Sequence, residues 1–87
     1  MKIKDGFILR QVADTYIVVA VGQAVKSFNG IINLNETGAF LWKFFSEEHT
    51  VDEGVAALLE TYDVEKEIAE ADVKQFASTV MKNGFAE

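Results

Sequence analysis

The sequence predicts an α+β domain, with a small N-terminal antiparallel sheet of three to four short strands packed on three C-terminal helices. Residues before Asn35 are rich in Ile, Val, Phe and Tyr and are interrupted by Gly and Asn, whereas helix formers dominate after it. Charge divides at the same point: residues 1–35 hold four basic and two acidic side chains, residues 36–87 four basic and twelve acidic. Strands grouped ahead of helices exclude alternating βαβ units. A chain of 87 residues has room for one core, so 1–87 is a single domain.

Phe7 to Val12 reads as the first strand, with Phe7 and Leu9 on one face and Ile8, Arg10 and Val12 on the other. Ala13-Asp14 suits a tight connection. Tyr16 to Val21 is apolar on both faces and is expected to be the central strand. Beyond Gly22-Gln23, the runs Val25 to Phe28 and Ile31 to Leu34 flank Asn29-Gly30, the pattern of a type I′ hairpin.

Asn35 is a good N-cap for a helix over 36–46, with Thr37, Phe40, Leu41, Phe44 and Phe45 as its apolar stripe and Trp42 off that stripe. Thr50 and Glu53 make a capping box for a helix over 51–61, whose Val51, Val55, Leu58 and Leu59 should face inward. Asp63 is the expected cap of a third helix over 64–82, with Ile68, Ala69, Val73, Phe76, Ala77 and Val80 on one side. Gly84 and Phe85 suit a Schellman ending.

Composition removes most function classes. The chain lacks cysteine, which excludes disulfides, thiolate nucleophiles and Cys-based metal sites. One histidine, His49, reads as a solvated loop residue between helices. There is no cofactor loop and no nucleophile–base pair, so neither catalysis nor a cofactor is expected. The longest aliphatic run, Ile17 to Val21, has five residues and no apolar segment follows the N-terminal lysines, so neither a membrane span nor a secretory signal is expected. A cytoplasmic binding module is what remains. Nucleic acid is a poor partner for a net charge of −6, and residues 63–82 hold five acidic side chains against three lysines. The acidic group Glu65, Glu67, Glu70 and Asp72 reads as a solvated helix face rather than a metal site.

One feature invites a ligand. Ile31-Ile32-Asn33-Leu34 is short and apolar, no later segment looks like a strand, and it carries none of the Lys, Pro or bulge residues that protect sheet edges. Periodicity leaves three occupants of that edge open: a covering element of the same chain, a second copy forming a homodimer, or an added peptide strand. Proline at Ile32 is expected to remove an edge donor.

The segment Leu34-Asn35-Glu36-Thr37-Gly38-Ala39-Phe40-Leu41-Trp42 resembles the PqqD family, small proteins of pyrroloquinoline quinone biosynthesis with relatives in ribosomal-peptide natural-product pathways. Thr50-Val51, Tyr62-Asp63-Val64, Asp72 to Phe76, Val80 and Gly84-Phe85 continue the resemblance in order along the chain. The chain departs from the family in having no proline near the end of the second strand and Glu47-Glu48 where an acidic-Gly pair is common. The resemblance implies a winged-helix-like domain, a non-catalytic recognition element for a precursor peptide. Its leader docks beside the third strand, against the third helix, for presentation to a radical S-adenosylmethionine or other maturation enzyme. Carried over by position, the site is Gly30, Ile31, Ile32, Asn33 and Leu34 on the strand, with Asp72, Val73, Phe76, Ala77 and Val80 on the helix. Some of the helical residues must be core. A self-associating module is the alternative, and a winged-helix nucleic-acid binder a weaker one.

Overall fold

The computed structural model describes residues 1–26 and 30–86. Three strands, β1 (Phe7–Val12), β2 (Thr15–Ala20) and β3 (Ile31–Leu34), precede three helices, α1 (Glu36–Phe44), α2 (Val51–Thr61) and α3 (Lys66–Lys82). The sheet is antiparallel in the order β1-β2-β3, so β2 is central, as its two apolar faces require. Ala13-Asp14 closes β1 on β2 as a two-residue turn, with Ala13 at the positive φ of 55° that such turns use.

The sheet turns Phe7, Leu9, Val18, Ile32 and Leu34 toward the helices. Val18 is fully buried, while Ile8, Val12 and Ile31 stand on the uncovered face. The core closes around Phe45, Leu41, Leu58, Val73, Val80 and Phe85. Trp42, the residue off the expected α1 stripe, is buried and meets Phe7 of the sheet, Phe76 of α3 and Phe85 edge-on. The buried stripe of α1 is therefore Gly38, Leu41, Trp42 and Phe45, one step round from the expected one. Phe40 and Phe44 form a half-buried outer pair, Phe40 against Tyr62 and Phe44 stacked on His49 at 4.0 Å. His49 is thus a packed residue, with Nδ1 3.6 Å from Glu53 Oε1, and not the solvated loop residue expected.

The caps follow the sequence at three sites. Asn35 Oδ1 accepts from Gly38 N at 2.7 Å, and Thr50 and Glu53 form the reciprocal capping box. The bonds Gly84 N to Met81 O and Phe85 N to Val80 O, with Gly84 at φ 76°, complete a Schellman motif. Two expectations are corrected. Val25 and Lys26 lie in a 3-10 turn over Gly22–Lys26, so they do not form a hairpin strand; β3 pairs directly with the open side of β2 instead. Ser27, Phe28 and Asn29, and with Asn29 the proposed type I′ turn, fall outside the described residues. The third helix begins at Lys66 with Glu65, not Asp63, as N-cap and no side-chain cap bond, and half-buried Val64 packs against the core just before it.

Candidate functional site

Hydrogen-bond parity decides what β3 offers. Val21 N donates to Gly6 O at 2.8 Å, which makes Gly6 and Val21 a hydrogen-bonded pair of the β1–β2 ladder. Alternation along β2 then directs the amides of Tyr16 and Val18 toward β3, onto their partners Leu34 and Ile32. Ile31 and Asn33 are left with their N–H and C=O groups pointing away from β2. Among the described residues no strand pairs with that side. Ile32 is therefore not an edge donor, contrary to the expectation from sequence; the edge donors are its two neighbours.

Beside this edge a cleft of about 270 Å³ runs between β3, the first turns of α1 and one face of α3. Ile32, Leu34, Leu41 and Phe76 give it an apolar lining, and Asn33, Asn35, Thr37, Gln75 and Thr79 supply neutral polar groups. Gly38 keeps it open: a Cβ there would lie 3.3 Å from Leu34 Cβ and 3.0 Å from Asn35 Oδ1. Phe76, almost fully buried, is held from behind by Phe45 in a near-parallel stack at 6.0 Å and by Trp42 edge-on at 6.5 Å. An open row of backbone groups above an apolar trough is the geometry that accepts an extended segment, its main chain on the edge and alternate side chains in the trough.

The cleft brings together Ile32, Asn33, Leu34, Asp72 and Phe76 of the residues singled out from sequence. Ile31 supplies edge backbone while its side chain is 61% exposed on the outer face, and Gly30 is exposed at the start of the strand. Val73 and Val80 are closed inside the core, and half-buried Ala77 is not in the cleft wall. The sequence reading missed Gln75 and Thr79, which with Asp72 and Phe76 follow the 3–4 spacing of one helical face. That face adjoins the buried stripe, and both share Phe76. The acidic group of α3 is split: Asp72 lines this cleft, whereas Glu70 lines a trough of about 410 Å³ between α2 and α3. That trough lies between two helices and has no strand edge to extend. Among the described residues no group of three or more His, Asp or Glu could hold a metal ion, and no helix is long and apolar enough to cross a membrane.

The sequence profile of Coenzyme PQQ synthesis protein D (PqqD) matches residues 8–86. The chain belongs to the PqqD family. Its fold is that of the solved structure "TbiB1 in Complex with the TbiA(beta) Leader Peptide", with a TM-score of 0.75 over 100% of this chain and 95% of that one, at 22% identity. No curated protein matches the chain. The PqqD match takes in all of the sheet but Phe7 and all three helices, and thus every element that builds the cleft.

Proposed function

We propose that this PqqD-family domain is a non-catalytic recognition element that binds the leader of a ribosomally made precursor peptide as a fourth strand on β3. The observation that carries the reading is the pair of unpaired backbone positions, Ile31 and Asn33, directly beside the apolar cleft. The leader-bound state of TbiB1, a protein of the same fold, supports it. The docking elements are Gly30 to Leu34 of the strand, and Asp72, Gln75, Phe76 and Thr79 of α3. Two residues with free N–H and C=O groups admit up to four backbone bonds, about 2–6 kcal/mol at the usual net value per bond. A micromolar complex requires about −8 kcal/mol, so side chains entering the cleft must supply the remainder and also offset the ordering of a flexible leader. The bound peptide is then presented in the cytoplasm to a radical S-adenosylmethionine or other maturation enzyme, a reading that the family resemblance supports.

The test is amide chemical-shift mapping of the nitrogen-15-labelled protein with the leader encoded beside its gene. Shifts concentrated at 31–35 and 72–79 are the expected result; shifts elsewhere, or none at millimolar peptide, overturn the assignment. A second reading, self-association through the same edge, draws on the same unpaired backbone of Ile31 and Asn33. Sedimentation across a concentration series separates the two, since a peptide-binding monomer sediments unchanged.

A further inference from the structure

Among the described residues the cleft wall carries a single charge. Asp72 is half-buried, lines the cleft, and forms no hydrogen bond or ion pair among the described residues, none of which brings a cation to the cleft wall. A half-buried carboxylate attracts a positive group more strongly than one in open water, because the surrounding dielectric is lower. Its position along the trough is also fixed. Asp72 and Phe76 are four residues apart on α3, a rise of about 6 Å. An extended peptide advances about 6.6 Å for every two residues, and only alternate residues face the trough. For an added strand laid along α3, the residue over Phe76 and the residue over Asp72 are two apart in the peptide.

We infer that this site selects extended peptides in which a Lys or Arg stands two residues from a large apolar residue, the apolar side chain seated on Phe76 and the cation paired with Asp72. The inference rests on the peptide-recognition reading above and adds to it the chemistry of the ligand. The apolar residue supplies most of the affinity, and the cation sets the register of the added strand. A one-residue slip would turn both side chains to the opposite face.

The experiment is selection from a displayed library of random 12-residue peptides on the full-length protein, with Asp72→Lys and Asn33→Pro as parallel baits. Wild type is expected to enrich Lys or Arg two residues from Leu, Ile or Phe. Asp72→Lys should keep the apolar residue and exchange the cation for Asp or Glu, and Asn33→Pro should enrich neither. Should Asp72→Lys fail to keep the wild-type circular dichroism spectrum, Asp72→Asn serves in its place, being isosteric. With that variant the selected Lys peptide should lose about fivefold in affinity, the scale of a partly exposed ion pair, while its Gln analogue binds both proteins alike. An apolar motif with no cation, or with a cation at another spacing, overturns this inference and leaves peptide recognition standing. A wild-type selection that enriches no peptide sequence overturns both.

Discussion

Alanine in place of a helical glycine usually stabilises a protein, by up to about 1 kcal/mol. Gly54→Ala in α2 is expected to do the reverse. A Cβ at this position would lie 2.7 Å from Phe45 Cζ, 3.1 Å from Phe45 Cε2 and 3.3 Å from Val73 Cγ1. Phe45 has no room to withdraw, being 0% exposed, stacked on Phe76 and edge-on to Phe44 at 5.2 Å. Overpacking costs about 1–3 kcal/mol, and a contact this short on an immobile ring belongs in the upper part of that range, about 2–3 kcal/mol, which exceeds the gain in helix propensity. The net loss of about 1–2 kcal/mol corresponds to a fall of about 4–15 °C in Tm for a domain of this size. Because Phe45 backs Phe76, the strain also reaches the cleft beside β3, so affinity for the proposed leader should fall although Gly54 is no part of the cleft wall. Thermal unfolding followed by far-ultraviolet circular dichroism measures the stability term. The same substitution in a Phe45→Leu background should be closer to neutral, since the ring it strikes is gone. A Gly54→Ala protein melting at or above the wild-type temperature would refute the packing argument.

Phe76→Ala removes a ring that is both core and cleft floor; it should cost about 3–5 kcal/mol, read by urea unfolding, and weaken leader binding beyond detection. Thr79→Ala, at an exposed position of the same cleft, should leave Tm unchanged and alter only peptide affinity. Asn33→Pro should abolish leader binding and leave the β2–β3 ladder intact, whereas Ile32→Pro breaks that ladder and should lower Tm; equal melting temperatures for the two variants would contradict the register. Glu53 is held below the ordinary carboxylate range, chiefly by the backbone N–H of Thr50 and further by nearby His49. A lowered pKa gives a stabilisation that is complete above the unfolded-state value and disappears as pH falls through the folded-state value. The stability difference between wild type and Glu53→Gln should therefore shrink between about pH 6 and about pH 3 in thermal melts.

Much of the candidate site could be read without coordinates. Ile31 to Leu34 announces an unprotected edge because it is apolar, short and last among the strands, and those are local properties. Asn35, Thr50, Glu53 and Gly84 mark helix ends for the same reason: a cap bonds its own neighbourhood. Edge parity could not be read, because Ile31 and Ile32 look alike in sequence and only the pairing of Gly6 with Val21 fixes which amides are free. Nor could the face of α3 that meets the cleft. Val73, Phe76 and Val80 share one apolar periodicity, yet Val73 and Val80 are sealed inside the core, and of the three Phe76 alone reaches the opening.

By itself the sequence determined the class of fold, the order of strands before helices, the three caps that follow it and the presence of a vulnerable strand, since each depends on residues within a few positions of one another. Tertiary structure alone decided that Val25 and Lys26 coil instead of pairing, that Trp42 rather than Phe40 or Phe44 enters the core, and that Asp72 lines the cleft beside β3 while Glu70 lines the trough against α2. Those outcomes depend on which surfaces meet across the domain. Periodicity identifies a helix's apolar side, but the neighbouring elements determine how much of that side is covered and which residue remains open to a ligand.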